Sequence, residues 1–381
     1  MQTLKDSMSD TPLPIVFPLR LPDLPDQTAE THDSALSTKL GLDNSPCVIR
    51  QSAAADLQRC PRKFAFKYRF RLRRKGDGYA SAREVGSMTH LIVKCLLEGA
   101  SLEGAMRECH KYLDSIAVPE ESRAAADKDL ALATAMAVSY WEKFSLNPNR
   151  WHVIGSEITI SVKLPGVVAP LSGTIDLLLW DREKNEIWIH DLKTTGNSPV
   201  KRQATVEYEP QTRIYRILAT AYVAAGLAKT RDEEPVPPET PVVGVQYNVI
   251  KRPTIRQKQK QTAEAYIAEV GDWYAGRGEH EGTTTGGPHA IVPPYPFRFR
   301  GGLVSYEFAK QLRMLDRAAT EYCGFASCPR TLDTKQCYGG PGQSSCEYDE
   351  ICSADPRLWK TIVKTLYDQA EKPPELTEDA A

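Results

Sequence analysis

Two aspartates and a lysine carry the clearest chemical signal in this chain. They lie in GTIDLLLWDREKNEIWIHDLKTT, residues 173–195. Asp176 sits in one β-rich run. Asp191 and Lys193 sit two apart in the next, so strand alternation sends both side chains out of one face. The polar DREKN connection makes the two runs a hairpin and sets Asp176 across from the Asp191/Lys193 pair. Such a group on one sheet face costs free energy unless it binds something. Oxygen ligands on a rigid sheet suit Mg²⁺ or Mn²⁺. An ion held there would polarise a phosphoryl oxygen and acidify a bound water, with Lys193 beside that water. A surface salt bridge on a half-exposed strand satisfies the same spacing, so spacing alone leaves both readings open.

The nine cysteines divide into two kinds. Cys47, Cys95 and Cys109 stand among apolar neighbours or at helical spacing, where buried thiols are the default. Cys60 opens CPRKFAFKYRF, at the edge of a basic run. Cys323, Cys328, Cys337, Cys346 and Cys352 crowd into a turn-rich, polar stretch that cannot form an ordinary core. Turn-rich sequence dense in cysteine encloses a metal more often than a core.

Between Arg59 and Lys75 there are nine basic residues and no acid, among them Arg62, Lys63, Lys67, Arg69, Arg71, Arg73 and Arg74. Phe64, Phe66, Tyr68 and Phe70 interleave with them. A second stretch, KRPTIRQKQK at 251–260, has five basic residues and again no acid. Such runs neutralise phosphates, and neighbouring aromatics stack on unpaired bases. The alternative is a solvated helix face over core aromatics. No base-reading motif and no GxxxxGK[ST] phosphate loop occurs, so any ATP-driven helicase or recombination partner would be a separate polypeptide.

The elements that must hold these residues follow from pattern. The chain has 381 residues, 41% hydrophobic and 25% charged, with net charge −1, which suits one large or two modest globular domains. No run of 18 apolar residues occurs and the N-terminus lacks a signal-peptide pattern, so a cytoplasmic protein without membrane spans is expected. Cysteines there are more often buried, metal-bound or catalytic than paired. Residues 1–46 read as a disordered or loosely docked arm and 356–381 as a terminal helix with an acidic tail. Helical spacing marks 53–68, 80–113, 122–147, 211–225, 260–276, 305–322 and 355–370. Strand patterns mark 151–164, 171–180, 186–193 and 242–250, and 282–302 reads as a long loop. Helices, then a β-meander, then helix, strand and helices give an α/β fold, a mixed sheet flanked by helices.

G-x-x-D at Gly173–Asp176 followed by D-x-K at Asp191–Lys193 resembles the PD-(D/E)xK nuclease superfamily, in particular its RecB-like branch, which includes CRISPR-associated exonucleases. Gly86-Ser-Met-Thr-His90 is similar to the family's G-x-x-x-H, and Gln211-Thr-Arg-Ile-Tyr215 to its Q-x-x-x-Y helix. The resemblance spans residues 48–355. It departs in carrying Asp191 where many members have Glu. It implies a restriction-endonuclease-like fold and a metal site of His90, Asp176, Asp191 and the Leu192 carbonyl. Lys193 would sit beside the attacking water, and Gln211 and Tyr215 would have positioning roles. Glu157 is a second-metal or supporting candidate. The iron–sulfur members place one cysteine before the core and three after it. That implies a [4Fe–4S] cluster on Cys60, Cys337, Cys346 and Cys352, with Cys323 and Cys328 as rivals for Cys337 and Zn²⁺ as the alternative centre. It would clasp the cysteine-rich C-terminal segment (323–352) to the N-terminal helix. The implied activity is a metal-dependent DNA exonuclease in recombination, repair or phage DNA processing. An endonuclease on the same fold and a silent DNA-binding adaptor are the rivals.

Overall fold

The computed structural model describes residues 15–16, 48–75, 79–116, 118–144, 146–147, 150–204, 206, 209–277, 290–291, 295–300, 303–321 and 346–370. In chain order the strands are β1 (Ile15–Val16), β2 (Leu72–Arg74), β3 (Trp151–Lys163), β4 (Leu171–Asp181), β5 (Glu186–Thr195), β6 (Val242–Lys251), β7 (Tyr295–Arg298) and β8 (Tyr367–Gln369). The helices used below are α1 (Gln51–Arg59), α2 (Pro61–Phe64), α3 (Ser81–Leu97), α4 (Leu102–Ser115), α5 (Arg123–Phe144), α6 (Pro199–Gln203), α7 (Pro210–Ala224), α8 (Ala263–Ala275), α9 (Tyr306–Glu321), α10 (Asp349–Ser353) and α11 (Trp359–Leu366).

Six strands form one mixed sheet in the order β1-β3-β4-β5-β6-β7. The apolar alternation of β3, β4 and β5 builds an antiparallel meander. β5 and β6 run parallel, and α6 and α7 supply the crossover that a parallel pair needs. The two edge strands escape the pattern. β1 lies in the segment read as an arm and pairs Ile15 with Val162, and β7 lies in the stretch read as a loop. Two residues and a proline-containing four are too short to show alternation.

The expected 53–68 helix breaks at Cys60. Its backbone is extended (φ −158°), and Pro61 starts α2 in the first-turn position that proline tolerates. α2 runs on into a π-helical turn, Ala65–Arg69. The expected 80–113 helix splits into α3 and α4 at Gly99, whose φ of 79° is a glycine conformation, and Ser101 caps α4 by accepting from the Gly104 N–H. The expected terminal helix is shorter too: α11 ends at Leu366 and the chain turns into β8.

Each sheet face has its own core. Ile187 and Ile189 of β5 point to α1, α7 and α9; Leu192 points to α3, α4, α5 and α8. A third cluster joins the two ends of the domain. Phe66, Phe70 and Leu72 pack with Tyr348, Ile351, Trp359 and Tyr367, and β2 pairs antiparallel with β8. The Tyr348 hydroxyl donates to the Leu72 carbonyl. The expected clasp between the C-terminal segment and the N-terminal helices is thus built from apolar burial and a two-stranded ribbon. No helix among the described residues is long and apolar enough to cross a membrane.

Candidate active site

β4 and β5 pair from Asp181↔Glu186 to Leu177↔His190 and then part. Asp176 is the first residue beyond the last pair. Its Oδ2 accepts from the Leu192 N–H at 2.8 Å, filling the hydrogen bond that the ladder no longer supplies. Asp191 and Lys193 leave the α7 face of β5, as alternation requires. Lys193 Nζ donates to Asp191 Oδ1 at 2.8 Å, and Gln211 Nε2 donates to the same oxygen at 3.3 Å.

The two motif glycines have a packing reason. A Cβ on Gly173 would stand 3.0 Å from the Tyr215 ring and from Leu218, so α7 reaches β4 only because that position is bare. A Cβ on Gly86 would stand 3.2 Å from Thr194 Oγ1, so α3 crosses β5 closely there. His90, one helical turn later, then arrives over the fork. Its Nδ1 lies 3.5 Å from Asp176 Oδ2 and 3.9 Å from Glu157 Oε1.

Glu157 comes to this place through an irregular strand. The β3 register shifts between Val153 and Gly155, and Glu157 itself has φ of 50°, left-handed for a residue with a side chain. It stands between the pairs Ser156↔Leu177 and Ile158↔Ile175, opposite Asp176. His90, Glu157 and Asp176 each offer a ligand atom within 4.8 Å of the other two. Ligand atoms bound about 2.1 Å from one ion stand at most about 4.2 Å apart, so a small closure seats a divalent cation. The donor set of one imidazole and two carboxylates, with Asp191 beside it, fits Mg²⁺ or Mn²⁺.

At the fork the acids, the lysine and the imidazole shift one another's charge states. Burial and the neighbouring Asp176 charge push the Asp191 carboxyl up to about 6, against the pull of Lys193. Burial opposes the Lys193 ammonium, but Asp191 and Asp176 outweigh it and raise its pKa. Lys193 is thus held as an ammonium that donates to Asp191. Burial would also lower the His90 pKa, and Asp176 with Glu157 raises it instead.

Several features carry no obvious motif. An open cleft of about 400 Å³ between Gly86, His90, Lys94, Tyr112 and Glu157 leads to the acids, and Lys94 stands four residues after His90 on the same helix face. On the other face of β5, the His190 ring underlies the site. Its Nε2 lies 2.8 Å from the Tyr140 hydroxyl, which donates to Asn248 Oδ1. Burial lowers the His190 pKa to about 4, so the ring is neutral. Strand parity could have flagged His190 as the neighbour of Asp191, but not its buried partners.

The basic run at 59–75 needs correction as a phosphate-binding surface. Arg69 and Arg71 are buried. Arg71 Nε donates to the Ala370 carbonyl, Lys67 pairs with Asp56, Lys63 lies near Asp56 and Glu347, and Arg74 pairs with Glu350. These cations hold the C-terminal clasp in place, and Arg62 Nη1 reaches to within 3.9 Å of Cys352 Sγ. Arg73 remains exposed, as do Arg256, Lys258 and Lys260 in the second basic stretch. Cys60 is buried, and its Sγ accepts from the Lys63 N–H at 3.4 Å. Cys346 and Cys352 pack against the clasp core. Cys323, Cys328 and Cys337 lie outside the described residues, as do Cys47 and the acidic tail from 371. Cys95 and Cys109 are buried thiols, as expected.

A family model described as the PD-(D/E)XK nuclease superfamily matches residues 50–353. A comparison with curated proteins finds no match.

Proposed function

The chain belongs to the PD-(D/E)XK nuclease superfamily, and from that membership we propose that it is a metal-dependent DNA exonuclease of the RecB-like branch. The observation that carries the hydrolytic part is the convergence of His90, Glu157 and Asp176 beside the Asp191–Lys193 pair. His90, Asp176, Asp191 and the Leu192 carbonyl, joined by Glu157, would hold Mg²⁺ or Mn²⁺. Held there, such an ion would supply a coordinated water of lowered pKa and charge withdrawal from the scissile phosphate. Lys193 donates a hydrogen bond to the attacking water and keeps Asp191 ionised. Gln211 fixes the Asp191 rotamer, and Tyr215, seated on Gly173, orients α7 against the fork. Arg73, Arg256 and Lys260 are exposed and available for backbone phosphates, without reading sequence.

The second part of the proposal is a structural [4Fe–4S] cluster on Cys60, Cys346, Cys352 and Cys337. Soft thiolates near Arg62 and the Lys63 amide suit such a centre. Hydrolysis of a phosphodiester needs no redox step, so the cluster's role is to lock the clasp. A cytoplasmic setting in recombination, repair or phage DNA processing, with a separate helicase or recombination protein, completes the reading. The test is an assay on end-labelled single- and double-stranded DNA with Mg²⁺ or Mn²⁺, using circular DNA as control. Stepwise loss of end label with circles left intact is the expected result; cleavage of circles would make it an endonuclease. Anaerobically purified protein absorbing near roughly 400 nm would mark the cluster, and a colourless protein would remove it.

A further inference from the structure

The sheet face opposite the Asp191–Lys193 pair carries a second, larger cavity, of about 590 Å³. Its floor is three strands wide. Trp188 and His190 of β5 stand beside Gly244 and Gln246 of β6, and those beside Arg298 and Pro296 of β7. Its far wall is the end of α5 and the segment running into β3. Gly244 is bare for a reason: a Cβ there would meet the Trp188 ring at 2.7 Å. The size is within the range of small-ligand sites and suits a mononucleotide.

The lining has four cations, Lys143, Arg150, Lys184 and Arg298, and no carboxylate. Behind it, Asp181 binds Arg150 and Glu186 binds Arg298, which fixes those two guanidinium groups in place. Arg298 also lies over the Trp188 ring, 5.1 Å from its centre. Lys184 is exposed in the β4–β5 turn. With Arg150 and Arg298 charge-paired, the net positive charge that an entering anion meets comes from Lys143 and Lys184.

Among the described residues Trp188 Nε1 is buried without a hydrogen-bond partner, and His190 Nδ1 has only the neighbouring Gln246 side chain within reach. Each belongs to a side chain more than nine-tenths buried. They differ in chemistry. The indole N–H can only donate. His190 Nε2 meets the Tyr140 hydroxyl, and the tautomer decides whether Nδ1 donates or accepts. Unmatched buried groups of this kind each cost stability until something fills them. A ligand with an anionic group, an acceptor oxygen and an N–H or O–H satisfies both.

We infer that this cavity binds a phosphorylated nucleoside, either a free mononucleotide or the phosphorylated terminal nucleotide of a strand. The phosphate meets the lysines and arginines, and the nucleoside meets Trp188 and His190. His190 also lines the small recess beside Asp176 and His90, so it is the shared wall between this cavity and the hydrolytic site. The choice of a nucleotide over other anions rests on the nuclease reading.

Calorimetric titration of the full chain in EDTA with thymidine 5′-monophosphate tests the assignment without reference to cleavage, so its failure leaves the hydrolytic reading standing. Saturable one-to-one binding is expected, and thymidine and inorganic phosphate should each bind more weakly. Asp176→Asn should leave that affinity intact. Lys184→Glu, on an exposed turn, should weaken it about tenfold by setting like charge against the phosphate. Trp188→Phe should weaken it about three- to tenfold by removing the buried donor. Circular dichroism and melting check that both variants fold. Oligothymidylate with and without a 5′-phosphate separates the two sources: a clear preference for the phosphorylated strand assigns a strand terminus, and binding of the mononucleotide alone assigns a free nucleotide. Absence of saturable binding at millimolar mononucleotide, or unchanged affinity in both folded variants, would overturn the inference.

Discussion

At the fork between β4 and β5, like charges crowd together, whereas in the clasp at 60–75 unlike charges close on one another. Asp176, Asp191 and Glu157 converge with one imidazole and one lysine, and Asp191 is held at a pKa of about 6 by burial and by Asp176. In the clasp Asp56 answers Lys63 and Lys67, Glu347 lies near Lys63, and Glu350 answers Arg74. A self-neutralised network is complete as it stands. A crowded anionic one costs stability that a bound cation would relieve. Charge density alone therefore does not mark function; the sign balance of the buried groups does.

The largest test of this contrast is removal of the carboxylates. Asp176→Ala and Asp191→Ala should each lower nuclease turnover by at least about 10³-fold, since several kcal/mol of charge stabilisation is lost. Melting of the metal-free protein should be unchanged or raised. Full activity in either variant would dissolve the assignment. The mirror experiment is in the clasp. Trp359 is almost fully buried, and Trp359→Ala should cost about 3–5 kcal/mol of stability. The rate per folded molecule should not change. Cys60→Ala should lose both iron and stability, while Cys95→Ala leaves the iron in place. A Cys60→Ala protein that keeps all its iron refutes the cluster.

The acid side of the pH profile sharpens the comparison further. His190 has a folded pKa depressed to about 4 from 6.5, so its contribution is present above the unfolded value and lost as pH falls through the folded one. Asp191 runs the other way: its pKa is raised to about 6 from 3.8, so protonation as pH falls favours the folded state. Over roughly pH 6.5 to 4 these shifts, each about 3 kcal/mol at 1.36 kcal/mol per unit, largely offset. Asp191→Asn removes one of them. Over that window in urea titrations the metal-free variant should lose more stability than the parent, by about 3 kcal/mol. Parallel profiles would show that the two groups do not oppose each other.

Much of the catalytic half was legible because alternation and helical spacing survive in β4, β5, α3 and α7. Asp176, Asp191, Lys193, His90 and Gln211 come together as their pattern requires. The position of Glu157 beside His90 and Asp176 depends on a positive φ in an irregular strand, which no hydropathy pattern encodes. The basic run misled for a different reason. Its counter-charges lie at Asp56 and, nearly three hundred residues later, at Glu347 and Glu350, so only the fold reveals that they are already paired. β7 and β8 are too short to announce themselves. As a middle-sized check on Glu157, Glu157→Gln should weaken Mn²⁺ dependence by about 10–100-fold, read as the concentration for half-maximal activity. An unchanged metal requirement would return the residue to a packing role.

The smallest expected effect separates the two basic stretches. Arg256 and Lys260 are exposed on the chain leaving β6, and Lys251 at the end of β6 pairs with Thr195, two residues beyond Lys193. A strand bound at the fork and running along β6 would pass this end of the sheet. Each phosphate neutralised releases counterions, so each lost contact lowers the slope of log affinity against log salt by about 0.7 to 0.9. Arg256→Gln with Lys260→Gln should therefore flatten the slope by roughly 1.5 for single- or double-stranded DNA alike, with little change in melting temperature. Arg69→Met should do the reverse: a buried guanidinium is removed, melting falls, and the slope stays as it was. Should the Arg69 variant flatten the slope and the Arg256/Lys260 pair leave it alone, nucleic acid would run over the clasp, and the division between a binding region and a self-neutralised one would have to be redrawn.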